Sequence, residues 1–243
     1  MLLENLVVLV VIAVLSAVQS LFGMGVLLFG TPTLLLMGYD FITAIGYLLP
    51  ASFAISILQV LSARSPQIQI SRNLYLICLP SIAVGLWLSE SSPLTSWTNA
   101  LIGGTLLLSA SVRVWPPSRT LFLRMLEKQS PIYHFVMGLT HGMTNLGGAL
   151  LAIMASGRST DKMVIRYTIA YYYLAFSIIQ MFVISVLLQR HDILIANLPA
   201  AAIAAAIYLL IGNRIFSSTS DPTYNKALTV FMVVYGVVVL LEI

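Results

Sequence analysis

The sequence predicts an all-helical protein that crosses a membrane several times. The chain has 243 residues, of which 59% are hydrophobic and only 8% are charged, and its mean hydropathy is +0.98. A soluble domain carries about 25% charged residues. Several uncharged apolar runs are long enough to span a bilayer as helices, which need about 20 residues each. We therefore expect a multi-pass protein of the cell membrane.

The first half, residues 1–115, opens on an uncharged run from Asn5 to Tyr39. As one helix this run would be about 50 Å long, against a hydrocarbon core of about 30 Å. We therefore expect a hairpin with arms Leu3–Phe22 and Met24–Gly38. Its break points would be Gly23, Gly25, Gly30 and Pro32. Three further helices are predicted at Phe41–Ser62, Leu74–Leu88 and Trp97–Trp115.

The second half, residues 131–243, follows a basic loop, Pro116–Ser130, that links the two halves. It opens on Pro131–Ala155, which we expect to be broken at Gly142 and again at Gly147-Gly148. Helices are then predicted near Tyr167–Leu188, Ile193–Gly212 and Ala227–Leu241. Together the two halves are expected to form one transmembrane domain.

A sequence repeat relates the two halves. A six-residue pattern recurs about 120 residues later: Ala54-x-Ser56-Ile57-x-Gln59 and Ala175-x-Ser177-Ile178-x-Gln180. Each copy follows an apolar segment that is broken by glycine. Duplicated halves with broken helices are typical of secondary transporters.

The second broken segment, Pro131–Ala155, either crosses the membrane once or folds back as a re-entrant hairpin. A single crossing divides the lysines and arginines nearly evenly between the two sides. A hairpin places all 12 of them except Arg190 on one side. Cytoplasmic loops carry an excess of these residues, so the hairpin is favoured. Each half then has a hairpin and three crossings, which inverts the second half and places both termini outside the cytoplasm.

Broken helices mark the predicted binding site. Irregular backbone inside a membrane is tolerated only where it is buried in protein or lines a cavity. The N-terminal ends of half-helices attract anions without a buried cation. Glycines at the breaks let the backbone approach a ligand, although tight helix packing also explains them. Candidate substrate-binding residues are Gly23, Gly25, Thr31, Gln59, His141, Asn145, Gly147, Gly148 and Gln180.

Some of these polar side chains have two interpretations. Gln59 and Gln180, at equivalent places in the repeat, either bind an oxyanion or bridge helices. His141 and Asn145 would share a face if this segment is helical. His141 either shuttles a proton, faces an anion in its protonated form, or is a neutral structural residue. Ser56 and Ser177 are expected to bond their own helices. His134 and His191 are expected at the surface.

The remaining charged, nucleophilic and metal-ligating residues form no catalytic motif in the sequence. The net charge of +4 fits cytoplasmic loops rather than a nucleic-acid partner. The single cysteine, Cys78, lies in an apolar segment, and a lone thiol is no metal site. We see no phosphate-binding loop, metal-ligand cluster or catalytic triad. We therefore predict no enzymatic activity and no cofactor.

The glycine pattern resembles that of the sulfite exporter TauE/SafE family. The first half shows Gly23-Met24-Gly25, then Pro32, Gly38 and Ala44; the second shows Gly138, Gly142, Gly147 and Gly148. The second half differs from the family pattern, because no proline follows Gly148. The resemblance covers nearly the whole chain. It implies transport of sulfite, a sulfonate or another small organic anion, coupled to a proton or sodium gradient.

Three functions remain open for this sequence. The first is a secondary transporter of a small anion, with its site between the two broken hairpins. The second is a passive anion channel of the same fold. The third is a membrane enzyme or assembly factor, which would need a catalytic constellation. The direction of transport and the oligomeric state do not follow from the sequence.

The favoured topology predicts that Pro116–Ser130 and Ser156–Arg166 share the cytoplasmic side. Single cysteines at Ser118 and Ser159, in a Cys78→Ala background, should react with an impermeant thiol reagent from the same side. Labelling from opposite sides would contradict the re-entrant hairpin and the inverted repeat.

Overall fold

The computed structural model describes residues 2–63, 69–91 and 129–241, together with single positions between 107 and 128. The described residues form helices with short connections and contain no strand. Three described helices are long and apolar enough to cross a membrane: Phe41–Ser62, Lys162–Leu187 and Leu198–Ser218. Shorter apolar helices cover Leu6–Phe22, Val26–Leu36 and Leu74–Glu90. The prediction of an all-helical membrane protein is confirmed at this level.

The first half contains four described helices: α1 (Leu2–Phe22), α2 (Val26–Leu36), α3 (Phe41–Ser62) and α4 (Leu79–Ser91). A π-helical turn, Leu74–Cys78, leads into α4. The predicted helix Trp97–Trp115 lies outside the described residues, apart from single positions. Described positions within Pro116–Ser130, such as Pro117 and Arg124, are helical, so at these positions the prediction of a loop is wrong.

The second half contains α5 (Ser130–Thr144), α6 (Gly147–Arg158), α7 (Lys162–Phe182), α8 (His191–Ala196), α9 (Leu198–Ile207), α10 (Asn213–Ser218) and α11 (Asp221–Leu241). A π-helical turn extends α7 over Val183–Leu187, and another joins α9 to α10 over Tyr208–Gly212. Each half of the sequence therefore opens on two helices separated by a short break.

Several predicted break positions are wrong. Gly30 and Pro32 lie inside α2, and Gly142 lies inside α5. The first break contains Gly23, with a φ of +82°, and the second contains Asn145, with a φ of +62°. Glycine and asparagine adopt this left-handed conformation most readily, and it commonly ends a helix.

The chain forms two compact units. Unit 1 comprises Met1–Arg64 and Ala170–Thr219, and unit 2 comprises Ser65–Ile169 and Ser220–Ile243. Each unit therefore combines helices from both halves of the sequence. The predicted division at Pro116–Ser130 remains a statement about the sequence repeat and not about the compact units.

In unit 1, helices α1, α3 and α9 run in the same direction. In its first half, α1 lines a cavity together with the beginning of α9, and Val8 and Ala200 are both part of its wall. Near its end, α1 packs Ser20 against Gly212 in the π-helical turn after α9. Helix α3 follows the same direction, because its first turn reaches the Val8 cavity and Gln59 in its last turn bonds the Ser20 carbonyl.

In unit 2, helices α4 and α5 run in the same direction. Asn73, before α4, donates a hydrogen bond to Ser130 at the start of α5 at 3.0 Å. Farther along, Gly85 and Gly142 face each other, and a methyl group at Gly85 would lie 2.6 Å from the Leu139 carbonyl. Small residues let helix backbones approach closely inside a membrane. This contact therefore sets the spacing of α4 and α5.

Each broken segment folds back on itself. A methyl group at Gly30 of α2 would lie 3.3 Å from Cδ1 of Leu15 in α1. In the second half, the Tyr133 hydroxyl of α5 donates to the Leu150 carbonyl of α6. In a straight helix, residues this far apart would be separated by about 20–25 Å at 1.5 Å per residue. The chain therefore reverses direction at each break.

The outward faces of the helices carry large apolar side chains. Leu61 is 75% exposed and Leu76 is 73% exposed. Apolar side chains on the outer faces of helices suit contact with lipid tails, which are themselves apolar. Trp87 and Trp115 are also exposed, and tryptophan is enriched at membrane–water interfaces.

Replacing Gly142 with alanine should lower the stability of the protein by about 1–3 kcal/mol, because overpacking at a rigid contact is costly. The new methyl group would meet the Ile82 carbonyl and would lie 2.8 Å from the Leu86 amide nitrogen, both backbone atoms of α4. Gly30→Ala is the matched control, since its nearest neighbour is the movable end of Leu48. Thermal unfolding of purified protein in detergent should show a larger loss of stability for Gly142→Ala than for Gly30→Ala. Equal losses of stability would contradict a rigid backbone contact between α4 and α5 at Gly142.

Candidate functional site at the paired helix breaks

The first break is organised by Gln19 in the last turn of α1. Its Oε1 accepts a hydrogen bond from the Val26 amide, the first N–H of α2, at 3.1 Å. Its Nε2 donates to the Ser52 carbonyl at 3.0 Å and to the Ser56 hydroxyl at 3.2 Å, both on α3. Gln19 is completely buried. One amide therefore joins three helices and supplies a partner for an N–H that the helix itself cannot satisfy.

Gln59 closes the end of α1. Its Nε2 donates to the carbonyls of Gln19 at 2.9 Å and Ser20 at 3.1 Å. These carbonyls belong to the last turn, which lacks partners within its own helix. Gln59 Oε1 has no hydrogen-bond partner among the described residues. The donors of Gln59 are thus used for bracing, and the atom that remains is an acceptor.

Both predicted glycines of the first break have backbone roles. Gly23 adopts the left-handed conformation and donates its amide to the Gln19 carbonyl at 2.8 Å, which ends α1. Gly25 precedes α2, and a methyl group there would lie 2.7 Å from the Gln19 amide nitrogen. Only a residue without a side chain allows this approach. Close packing therefore accounts for Gly25 independently of any ligand.

The second break brings His141, Asn145 and Gly147 together in unit 2. Asn145 is buried, adopts the left-handed conformation and donates its amide to the His141 carbonyl at 2.8 Å. A methyl group at Gly147 would lie 2.5 Å from both the His141 Cβ and the Met137 carbonyl. His141 is completely buried. The break thus places a buried imidazole beside the first residues of α6.

The two breaks share one geometry. The same offset along the sequence pairs Gln19 with His141, Gly23 with Asn145, and Gly25 with Gly147. In each case a left-handed residue bonds the carbonyl four positions before it at 2.8 Å. In each case a glycine two positions later packs against the preceding helix. The sequence repeat is therefore also a repeat of local structure at the breaks.

The repeat extends to the helices that follow each broken segment. Ser52, Ser56 and Gln59 of α3 correspond by their spacing to Tyr173, Ser177 and Gln180 of α7. All six side chains are buried. The expected bond of Ser177 to its own helix is wrong, since its hydroxyl has no partner among the described residues, and Ser56 instead accepts from Gln19.

The other predicted residues lie as follows. Thr31 is buried on α2, Gly148 is buried in the first turn of α6, and Gln180 is buried on α7. His134 is completely buried, with its Nδ1 2.8 Å from the Ser130 carbonyl, so the expected surface position is wrong. His191 is exposed, as predicted.

Sequence reasoning missed Gln19. It is a polar residue in a run without charges, placed just before the glycine break. Applying the offset between the two breaks to His141 would have pointed to it. The chemistry of the two sets differs: Gln19 is an amide that cannot titrate near neutral pH, whereas an imidazole can.

A family model described as sulfite exporter TauE/SafE matches residues 8–239 of the chain. This protein belongs to the sulfite exporter TauE/SafE family. Comparison with curated proteins and with solved structures gave no match. The TauE/SafE family consists of membrane transporters of sulfur anions such as sulfite. Family membership thus confirms the resemblance inferred from the glycine pattern and implies a small anionic substrate.

Replacing Gln19 with methionine should destabilise this TauE/SafE protein. The change keeps the approximate length of the side chain but leaves the Val26 amide, the first N–H of α2, without its partner, at about 1–3 kcal/mol for a buried unsatisfied group. It also removes the additional hydrogen bonds to Ser52 and Ser56 of α3. Gln19→His is the matched variant, because a neutral imidazole retains one donor and one acceptor and histidine stands at the equivalent position in the second half.

Thermal unfolding of both variants in detergent provides the measurement. We expect Gln19→Met to unfold at a clearly lower temperature than Gln19→His. If Gln19→Met were as stable as the unmodified protein, the amide would not be what holds the first break together.

Proposed function

We propose that this protein is a secondary transporter that moves a small sulfur oxyanion across the cell membrane. The substrate is sulfite, a sulfonate or another organosulfur acid, and a proton or sodium gradient supplies the driving force. The observation that carries the proposal is the matched geometry of the two helix breaks in a chain of the TauE/SafE family. Discontinuous helices at equivalent places form the substrate sites of many secondary transporters.

The direction of the helices supports an inverted repeat. In unit 1, α3 and α9 run the same way, and in unit 2, α4 and α5 run the same way. With a crossing at Trp97–Trp115, this is the arrangement expected when Pro131–Ala155 enters and leaves on one side. If that segment crossed once, α9 would run opposite to α3. The same arrangement gives a cytoplasmic excess of lysine and arginine.

We assign the anion to the second break. Helix α6 begins with Gly147 and Gly148, and its first N–H groups carry the positive end of the helix dipole. The Asn145 amide and the His141 imidazole, both in unit 2, are the proposed polar contacts at this break. At the first break, the leading N–H of α2 is already bonded to Gln19.

Gln59 has a different proposed role from Gln180. Its amide donors hold the end of α1, and its free atom, Oε1, is an acceptor that would repel an anion. We therefore place Gln59 in the support of the first hairpin, together with Gly23, Gly25 and Thr31. Gln180, at the equivalent position, keeps its assignment to substrate.

The function is tested with purified protein in proteoliposomes. Sulfite uptake should exceed that of protein-free vesicles and should be inhibited by sulfonates. Accumulation against a sulfite gradient, driven by an imposed proton or sodium gradient, is expected of a secondary transporter. Equilibration without accumulation under every imposed gradient would show a passive channel instead.

Asn145→Asp and Gln180→Glu should each reduce anion affinity sharply at neutral pH. Both changes preserve volume, and aspartate tolerates the left-handed backbone of Asn145. The acid adds a negative charge facing the substrate, and like charges repel strongly at low dielectric. Protonation of the buried acid should restore part of the affinity as the pH falls.

The matched control is Gln129→Glu, an exposed amide before α5, which should leave affinity unchanged. Sulfite inhibition or uptake curves between pH 5 and 8 provide the measurement. Unchanged affinity in both buried variants at neutral pH would remove Asn145 and Gln180 from the site.

A further inference from the structure

A cavity lies in unit 1, and its wall contains none of the residues of the helix breaks. Its volume is about 460 Å³, and its wall includes Val8 of α1, Thr43 and Tyr47 of α3, and Pro199 of α9. This volume falls within the range of small-molecule sites, about 300–1,000 Å³. Two charged side chains, Arg190 and Asp192, also line it. None of the residues proposed for the sulfur oxyanion is among those that line this cavity.

The two charges are available to a ligand. Both side chains are exposed, and neither forms an ion pair with another described residue. Arg190 offers a planar set of donors that suits an oxyanion, and Asp192 offers acceptors that suit an ammonium group. Much of the remaining wall is apolar, including Val8 and Pro199.

The nearby Asp40 adds a negative charge to the electrostatic environment of Arg190 in this cavity. Its carboxylate caps α3 by accepting the Thr43 amide at 3.0 Å. Partial burial alone would raise the pKa of Asp40, but hydrogen bonds from Thr43 and the positive charge of Arg190 lower it overall. Asp40 and Asp192 together outweigh the single charge of Arg190. A simple anion is therefore not the ligand that this arrangement favours.

We propose that this cavity binds a zwitterion whose oxyanion and ammonium groups are joined by a short apolar spacer. Arg190 binds the oxyanion, Asp192 binds the ammonium, and the apolar wall contacts the spacer. In the topology proposed above, Arg190 lies on the non-cytoplasmic side, so only the side of the membrane rests on the proposed function. The same chemistry occurs in a free aminosulfonate or amino acid and in the headgroup of an aminophospholipid.

The first arm of the test uses soluble probes. Full-length protein in nanodiscs of phosphatidylglycerol is titrated with taurine, with ethanesulfonate, which lacks the ammonium, and with ethylammonium, which lacks the oxyanion. Taurine should bind at least about tenfold more tightly than either half-probe. Arg190→Gln and Asp192→Asn should each weaken taurine binding by about tenfold or more.

The second arm tests the lipid source. Delipidated protein is mixed with phosphatidylethanolamine or phosphatidylglycerol, and retained lipid is counted by native mass spectrometry. Retention of phosphatidylethanolamine that falls in Arg190→Gln and in Asp192→Asn, without taurine binding, identifies the headgroup as the ligand. Retention of both lipids to the same extent in all variants contradicts a headgroup site.

A control variant and a modified background test whether taurine binds in this cavity. Arg214 is exposed in α10, beyond the end of α9 that is distant from Pro199. Arg214→Gln should leave taurine binding unchanged. All titrations are repeated at neutral pH in a Gln180→Glu background, in which sulfonate affinity at the proposed substrate site is reduced, so that the binding that remains belongs to this cavity. Equal losses in Arg214→Gln and Arg190→Gln, equal binding of taurine and ethanesulfonate, or no binding of either zwitterion would overturn the proposal. Sulfite flux is measured separately. An absence of flux would reject the transport function and would leave the conclusion about zwitterion binding unchanged.

Discussion

Backbone groups at a helix break inside a bilayer must find their hydrogen-bond partners within the protein, since lipid offers none. At the first break this constraint is met mainly by Gln19, which bonds the start of α2 and the middle of α3, and by Gln59, which bonds the end of α1. An unsatisfied group would cost several kcal/mol. The position of the break, the return of α2 and the register of α1 on α3 therefore depend on two amide side chains.

The second half uses the same backbone geometry with different chemistry. Asn145 takes the place of Gly23, and His141 takes the place of Gln19, while Gly147 keeps the tight approach of Gly25. An amide fixes a hydrogen-bond pattern at every physiological pH, whereas an imidazole changes its charge and its donors when it binds a proton. The duplicated scaffold thus holds a constant polar group in one half and a titratable group in the other.

Much of the fold was predictable because the lipid environment imposes long apolar helices and glycine-rich breaks. Apolar length gave α3 with its bounds correct, and the repeat pointed to Gln59 and Gln180. Gly30 and Pro32 were misassigned as breaks, because in a tightly packed helix a glycine can serve contact with Leu48 and a proline can be tolerated. His134 was placed at the surface because its burial depends on tertiary packing, which sequence periodicity does not encode.

The cavity lined by Val8 and the first break depend on the same pair of helices, α1 and α3. Val8 lines the cavity and Gln19 lies at the break, eleven residues along α1, which corresponds to about 16 Å at 1.5 Å per residue. Between them α1 and α3 are parallel, and the Gln19–Ser52 and Gln59–Ser20 hydrogen bonds hold their register. A shift of α1 by one turn would separate Gln19 from Ser52 and would also displace Val8 from the wall that faces Thr43. The shape of the cavity and the closure of the break are therefore set by one helix register, and a change at either place must be accommodated at the other.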